Sequence, residues 1–199
     1  MRPSSVIHCP DLPCADVRHQ PLVAPSINLN PARVRVVLIS EAAPADPSDY
    51  YYKRGSLFER TTLQAFADAG ILVESIEALI SRGVYFTTAV KCGKTGYGIE
   101  TATIKRCSLL LEKEIDLFPK VIAYLLMGDV AIKAVNEIAH RRGEPRVIPA
   151  GSTYKLRGGR YYFKGKRAFP SYLQAGPSFF IEKTKRAAIS EDIAAAMRL

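Results

Sequence analysis

Three near-continuous apolar runs constrain the fold of this chain more than any other feature of its sequence. They are VRVVLIS (34–40), VYFTTAVK (84–91) and VIAYLLMG (121–128). Apolar runs without polar alternation are typical of strands buried on both faces, as in parallel sheets covered by helices. A shorter run, VIPAG (147–151), predicts a fourth strand. The sequence therefore predicts a central, mainly parallel four-stranded sheet.

Amphipathic patterns between and after these runs predict the helices. They cover residues 57–70, 103–117, 129–140 (with Asp129 as the N-cap) and 184–198, with a short helix or turn at 75–82. Residues 153–169 alternate around glycine-containing turns and predict a β-hairpin or irregular ribbon. This alternation of strands and helices predicts an α/β fold with helices on both faces of the sheet. The 199 residues fit a single domain, in which residues 1–30 form an irregular arm.

Three predicted loops leave the carboxyl ends of the strands, at residues 40–56, 91–102 and 170–183. In open sheets with parallel strands, ligands bind in the crevice beyond these ends. Candidate functional residues are therefore sought in the three loops.

The four cysteines form two separated pairs, Cys9 with Cys14 and Cys92 with Cys107. Four thiolates in two pairs can close one cage around zinc or a [4Fe–4S] cluster, and the spacings favour neither strongly. Four unrelated thiols are the alternative. Disulfides are not expected, because residues 1–25 contain no apolar signal segment, and the chain is predicted to lie in the reducing cytoplasm.

The net charge of +9 is concentrated in one region of the chain. Residues 141–186 contain twelve Lys and Arg but only two acidic residues, and tyrosines and phenylalanines lie among them. This combination predicts nucleic-acid binding, and an ordinary solubilising face is the alternative. No apolar run approaches the length of a transmembrane helix, so no membrane association is expected.

Four stretches resemble the uracil-DNA glycosylase superfamily, most closely its iron–sulfur (family 4 type) branch. VVLISEAAPADPSD resembles a strand that runs into Gly-Glu-Ala-Pro-Gly, and VYFTTAVKC resembles a strand that ends in Thr-Asn-x-x-Lys-Cys. CSLLLEKEIDLFPKVIAYLLMGDVAIKAV resembles the family's Cys–helix–Pro–strand–Gly–helix section. AFPSYLQAGPSFF resembles a strand that runs into His-Pro-Ser.

The resemblance implies a three-layer α/β/α sandwich that binds DNA with one nucleotide flipped out. It also implies a [4Fe–4S] cluster on Cys9, Cys14, Cys92 and Cys107, with zinc as the less favoured metal. Several positions depart from the family pattern, among them Thr88 in place of the base-reading Asn and Gly176 in place of the His. The others are Ser40 in place of a Gly, one extra residue in Ala42-Ala43-Pro44, and the wider spacing of Cys9 and Cys14. A single hydroxyl discriminates pyrimidine edges less well than an amide, so these changes predict altered or weak uracil specificity.

Hydrolysis of an N-glycosidic bond requires a carboxylate or similar acceptor that positions water or stabilises the cationic sugar. Glu41 directly follows the first apolar strand and is the leading candidate. Asp46, on the same loop, is the alternative. A purely structural role for Glu41, in capping or ordering the loop, is also open.

Base binding requires a planar partner and polar groups, and DNA binding requires phosphate contacts. Phe58, Thr88 and Tyr52 are the predicted base-binding residues. Ser178, Lys183, Lys185 and Arg186 are predicted to bind DNA, with Phe179, Phe180 and Ile181 as a possible wedge in the base stack. For each aromatic residue the alternative is packing in the core.

The sequence thus predicts a monomeric DNA glycosylase that excises a damaged or modified base from duplex or single-stranded DNA. A catalytically silent iron–sulfur relative that only binds nucleic acid is the first alternative. A zinc-stabilised nucleic-acid adaptor is the second.

Overall fold

A six-stranded sheet forms the centre of the computed structural model, which describes residues 1–19 and 24–199. Its strands are β1 (Val17–Arg18), β2 (Val36–Ala43), β3 (Val84–Lys94), β4 (Ala123–Met127), β5 (Tyr161–Phe163) and β6 (Lys166–Ser171). They follow the order β1-β3-β2-β4-β6-β5. The inner four, β3, β2, β4 and β6, are parallel, whereas the edge strands β1 and β5 are antiparallel to their neighbours. The predicted mainly parallel sheet is confirmed, but the predicted number of four strands is wrong, because the short edge strands β1 and β5 bring it to six.

Helices cover both faces of the sheet, which confirms the three-layer α/β/α architecture. They are α1 (Leu57–Asp68), α2 (Ile76–Ser81), α3 (Thr101–Ile115), α4 (Asp129–Arg141), α5 (Thr153–Leu156), α6 (Ser178–Ile181) and α7 (Lys183–Met197). Helices α3 and α4 pack on one face, and α1, α2 and α7 pack on the other. Within the described ranges, no helix is both long enough and apolar enough to cross a bilayer.

The prediction of a strand at 147–151 is wrong, and β6 is the fourth parallel strand. Asn136 on α4 explains the difference, because its amide donates to the carbonyl of Ile148 (2.9 Å) and accepts from the N–H of Ile148 (3.0 Å). These two bonds occupy the groups that a neighbouring strand would use, and Pro149 has no N–H to donate. The predicted hairpin is present as β5 and β6, joined by Lys164 and Gly165, both with positive φ.

The amino-terminal arm is held to the rest of the protein at several points. The Arg106 guanidinium donates to the carbonyl of Pro13 (3.2 Å), and the Thr95 hydroxyl donates to the carbonyl of Asp16 (2.9 Å). Part of the predicted irregular arm, residues 20–23, lies outside the described residues. At α4 the prediction of Asp129 as the N-cap is wrong, because Gly128 occupies the cap position and Asp129 begins the helix.

A fully buried ion pair between Lys91 on β3 and Glu114 on α3 joins the sheet to its helical layer. The hydroxyls of Tyr85 (2.7 Å) and Thr87 (2.8 Å) donate to Glu114. The Lys91 ammonium also donates to the Thr87 hydroxyl (2.6 Å) and to the Thr88 carbonyl (2.7 Å). Both charges are thus surrounded by hydrogen-bond partners, as buried ions require.

We expect Glu114→Gln to lower the free energy of unfolding by about 3–5 kcal/mol, because it leaves the Lys91 ammonium buried without a counter-charge. Glu112→Gln is the matched control on the same helix. Glu112 pairs with Arg141 (2.8 Å) at the surface, so its loss is expected to be below about 1 kcal/mol. Urea unfolding followed by circular dichroism measures both values, and equal losses would contradict a special role for the buried pair.

Candidate active site

The candidate site lies where the four parallel strands end. Their carboxyl ends share one edge of the sheet, and loops 44–56, 95–100 and 172–177 follow β2, β3 and β6 there. The structure therefore brings the three predicted functional loops to one edge, as parallel strands require.

Glu41, near the end of β2, lies against the backbone of Gly128 at the start of α4. A β-carbon built on Gly128 would lie 2.7 Å from Glu41 Oε1, and the φ of Gly128 is +100°. Lys94 Nζ lies 3.3 Å from Glu41 Oε2, and the Glu41 side chain is 17% exposed. The carboxylate is thus held in place and still reachable from solvent, so it can act on a bound substrate.

Asp46, the alternative carboxylate, orders its own loop. Its side chain accepts from the N–H of Ser48 (2.9 Å) and caps the short 3-10 helix Pro47–Asp49. This backbone hydrogen bond holds the pKa of the exposed Asp46 below its usual value, and the charge of Arg18 acts in the same direction. Because the Asp46 carboxylate is engaged with backbone, Glu41 is the better placed of the two.

Phe58, at the start of α1, belongs to a group of four aromatic rings. Its ring centroid lies 5.2 Å from that of Tyr51 and 6.5 Å from that of Tyr50. Tyr52 adjoins Tyr50, and its hydroxyl donates to the carbonyl of Phe86 (2.7 Å). Phe58 is only partly buried, whereas the Tyr52 hydroxyl is already committed to the backbone of β3. Of these two predicted base-binding residues, Phe58 is therefore the freer to stack on a ligand.

Thr88 lies beside Ser40, its partner in the pairing of β3 with β2. The Ser40 hydroxyl accepts from the hydroxyl of Tyr51 (2.6 Å), and the Gln174 amide donates to that same Tyr51 hydroxyl (2.8 Å). Burial raises the pKa of Tyr51 and of Tyr50, so both phenols stay neutral at physiological pH. Side chains from β2, loop 44–56 and loop 172–177 thus form one buried polar chain.

Three buried polar atoms in this region lack a hydrogen-bond partner within the described part of the chain. They are the Tyr50 hydroxyl, the Thr88 hydroxyl and the Gln174 side-chain carbonyl. The Tyr50 hydroxyl faces Thr88 without making hydrogen-bond geometry to it. Buried polar groups are nearly always paired, so a group of unpaired ones indicates a place for a polar ligand or for water.

Gln174 was not predicted from the sequence. It meets Tyr51 across 123 positions of the chain, and no local spacing signals such a contact. The sequence also does not distinguish Tyr50 from its neighbours Tyr51 and Tyr52, since it gives no indication of which hydroxyl is left unpaired.

Glu41 and Phe58 approach the strand-end cleft from different layers. Glu41 contacts Gly128 at the start of α4, on the α3–α4 side, whereas Phe58 packs with the core on the α1–α7 side. Thr88 faces the same side as Phe58, because Thr87, one residue earlier, points to Glu114 on α3. The aromatic and polar groups therefore share one side of the sheet, and the carboxylate borders it from the other.

The loop after β6 forms one rim of the cleft. Gly176 has a φ of +111°, and a β-carbon built there would meet no atom within 4 Å. Ser178, Phe180 and Ile181 follow on α6 and are exposed, whereas Phe179 is buried. This rim therefore presents a hydroxyl and two apolar side chains to solvent, and Phe179 belongs to the core.

The predicted DNA-binding cations differ in whether they pair with acidic side chains. Lys183 is exposed and makes no ion pair within the described residues. Lys185 pairs with Glu182 (2.7 Å), and Arg186 pairs with Asp68 (2.7 Å) while its guanidinium lies over the Phe179 ring. Several other cations of the basic region also have acidic partners, namely Arg141, Arg142, Arg157 and Lys164. Part of the basic region thus stabilises the fold, and Lys183 is the most available of the predicted phosphate contacts.

Three of the four cysteines converge. Cys14, Cys92 and Cys107 are buried thiols in one apolar cluster, and Cys9 on the arm is half-buried. The pKa of Cys107 is raised to about 11, mainly by burial, with smaller contributions in the same direction from the nearby sulfurs of Cys92 and Cys14 and an opposing effect of Lys91. Thiolates clustered in this way suit a soft metal centre. Among residues 1–19 and 24–199, however, no three His, Cys, Asp or Glu side chains are arranged to hold a metal ion.

A separate cleft of about 750 Å³ opens along α4 and the segment 144–156. Its wall carries both signs of charge, with Lys105 and Lys133 beside Asp129 and Glu137. None of the predicted site residues lines it, so it is distinct from the aromatic and polar group at the strand ends.

Residues 27–191 match the family described as the uracil DNA glycosylase superfamily. The chain is also 30% identical over 79 residues to the type-5 uracil-DNA glycosylase of Thermus thermophilus. This alignment covers 40% of the chain and 36% of the Thermus protein, so the matched part spans about a third of that relative's length.

We expect Tyr50→Phe and Tyr51→Phe to act in opposite directions on stability. The Tyr50 hydroxyl is buried without a partner, so its removal should leave stability unchanged or raise it by about 1 kcal/mol. Tyr51→Phe removes the link between Ser40 and Gln174, and should lower stability by about 1–3 kcal/mol. Chemical unfolding of the two variants side by side tests this, and an equal loss in both would contradict the unpaired state of Tyr50.

Proposed function

Since the chain belongs to the uracil DNA glycosylase superfamily, we propose that it is a DNA glycosylase with altered or weak specificity for uracil. It flips a damaged or modified base out of DNA and hydrolyses the bond between that base and its sugar. The observation that carries this proposal is the group of unpaired polar atoms on Tyr50, Thr88 and Gln174, which lies beside a partly exposed aromatic ring.

A flipped base needs a stacking surface and hydrogen-bond partners. Phe58 supplies the surface, and the hydroxyls of Thr88 and Tyr50 supply partners that donate or accept. The Gln174 amide N–H is committed to Tyr51, so its carbonyl oxygen is left as an acceptor for an N–H of the base. This set differs from a single bidentate amide, and it supports recognition of a base other than uracil or of several bases.

Hydrolysis also requires groups that stabilise the departing base and the cationic sugar. Glu41 is the residue we assign to the sugar, where its carboxylate orients water or stabilises positive charge. Its contact with Gly128 fixes the position of the carboxylate, and Lys94 Nζ lies 3.3 Å from its other oxygen. Asp46 is not assigned this task, because its carboxylate caps the following turn.

Contacts to the DNA backbone are assigned to the rim after β6. Ser178 and Lys183 are exposed there and suit phosphate oxygens. Phe180 and Ile181 are exposed apolar side chains that can fill the gap left in the base stack. Lys185 and Arg186 add positive potential, while their acidic partners limit direct contact.

We further propose that Cys9, Cys14, Cys92 and Cys107 hold a [4Fe–4S] cluster, with zinc as the alternative. The convergence of three buried thiols supports this, and Cys9 is the remaining sulfur on the same arm as Cys14. Bound there, the metal centre would supply covalent links between the arm and the sheet. No step of the hydrolysis is assigned to it.

A catalytically silent DNA-binding relative is the second candidate function. The pairing of Glu41 with Lys94 and the absence of a side chain at Gly176 both favour it. The two candidates bind DNA alike and differ only in whether abasic sites are formed.

The deciding experiment is a cleavage panel on duplex and single-stranded oligonucleotides that carry uracil, hypoxanthine, xanthine or modified pyrimidines. We expect at least one of these to yield abasic sites. If none does at high protein concentration while DNA is still bound, the silent relative is the correct description.

On the best substrate, we expect Glu41→Gln to lower the cleavage rate by about 100-fold or more with little change in DNA affinity. The Gln side chain keeps the shape and removes the charge. Asp46→Asn is the matched control and should retain activity within a few-fold. A reversed pattern would transfer the role to Asp46.

Metal content tests the cluster proposal independently of activity. Protein purified without oxygen should contain iron and acid-labile sulfide, and Cys107→Ser should lose both together with part of its thermal stability. Zinc without sulfide would favour the zinc alternative. A metal-free protein of full stability would exclude both.

A further inference from the structure

We propose that Tyr97 is a second stacking residue, which binds an unpaired base next to the nucleotide held in the cleft. It lies on the rim opposite Phe180 and Ile181. The inference rests on the proposed function only in taking DNA as the ligand, and it assigns no part of the chemistry to Tyr97.

The loop that carries Tyr97 is anchored at both ends by one residue of the arm. The carbonyl of Asp16 accepts from the Thr95 hydroxyl (2.9 Å), and its carboxylate accepts from the N–H of Glu100 (2.7 Å). The Thr103 hydroxyl on α3 donates to the same carboxylate. The loop base is therefore fixed, and its tip projects from a rigid support.

Tyr97 stands at this tip with its ring fully exposed. Gly96 and Gly98 flank it, and a β-carbon built on either glycine would meet nothing within 4 Å. Both faces of the ring are thus open. Single exposed apolar residues are common, so the argument depends on the anchored support and on the charges around it.

Two cations lie close to the loop. Arg18 on β1 lies opposite Gly93, is exposed, and makes no ion pair within the described part of the chain. Its charge also reaches Asp46 on the loop after β2. Lys94 directly precedes the loop and reaches Glu41. An aromatic face beside an exposed cation without an ion pair, Arg18, suits single-stranded nucleic acid, whereas a protein partner would need a larger apolar patch.

The order of the strands places the two rims on either side of the cleft. β3 and β6 flank β2 and β4, so the rims are three strand spacings apart, roughly 14 Å. A nucleotide held at the ends of β2 and β4 therefore lies between Tyr97 and the α6 side chains. An unpaired neighbouring base is within reach of the Tyr97 rim, which predicts a preference for single-stranded or locally opened DNA.

The test compares Tyr97→Ala, Tyr97→Phe and the control Leu72→Ala in the full chain. Leu72 is also a highly exposed apolar residue, but it lies at the opposite edge of the sheet. It precedes α2, and its carbonyl accepts from Arg82, just before β3 begins. The probes are single-stranded oligonucleotides that carry 2-aminopurine next to a stable abasic analogue, and matched duplexes.

We expect Tyr97→Ala to weaken single-strand binding by about 5- to 100-fold and to remove the 2-aminopurine quenching that stacking causes. Tyr97→Phe should retain both properties, and Leu72→Ala should match the unaltered protein. Circular dichroism confirms folding in each case. Unchanged affinity and quenching in Tyr97→Ala would overturn the proposal, as would an equal loss in Tyr97→Phe, which would indicate a hydroxyl contact instead of stacking.

The result of the Tyr97 binding test can be distinguished from the result of the cleavage panel that tests the proposed function. If no base is excised but the Tyr97 effect is present, the proposed function fails and the stacking role stands. If bases are excised and Tyr97→Ala binds normally, only the stacking role fails. Absence of DNA binding in the unaltered protein would refute both.

Discussion

The ion pair between Lys91 and Glu114 is the interaction on which the site depends. Lys91 holds the carbonyl of Thr88, and Glu114 holds the hydroxyl of Thr87, so the end of β3 is fixed from the α3 side. The N–H of Lys91 also donates to the sulfur of Cys107 (3.5 Å), which lies two turns before Glu114 on α3. One buried charge pair therefore aligns the strand end that carries Thr88 with the helix that carries a cysteine of the converging cluster.

Successive side chains of a strand point to opposite faces of the sheet, so the candidate site residues are divided between the two helical layers. On β2, Ser40 faces the buried tyrosines while Glu41 turns to Gly128 and α4. On β3, Thr88 faces the tyrosines while Thr87 turns to Glu114. Adjacent residues thus serve opposite sides of the sheet. A carboxylate and the group of unpaired polar atoms are brought to one edge without having to share one layer.

The sequence predicted the parts of the fold that depend on local pattern. The apolar runs gave β2, β3 and β4, and the amphipathic periods gave α1, α3, α4 and α7. It predicted β6 only as part of a hairpin and not as the fourth parallel strand, because KRAFPS mixes charge with proline. It also misplaced a strand at VIPAG, where the amide of Asn136 takes the backbone bonds of Ile148. Cys14, Cys92 and Cys107 lie in one buried cluster, and the predicted four-cysteine metal site stays a prediction. Gln174 and the unpaired Tyr50 hydroxyl depend on contacts between distant segments, which no local pattern encodes.

The close approach of Glu41 to Gly128 has an evolutionary consequence. The space that the carboxylate occupies exists only because position 128 has no β-carbon. Any amino-acid substitution of Gly128 introduces a side chain there, at a point where the sheet and α4 are otherwise complete. One point mutation can thus displace the acid and leave the rest of the scaffold standing, which is a short route from an enzyme to a binding protein of the same shape.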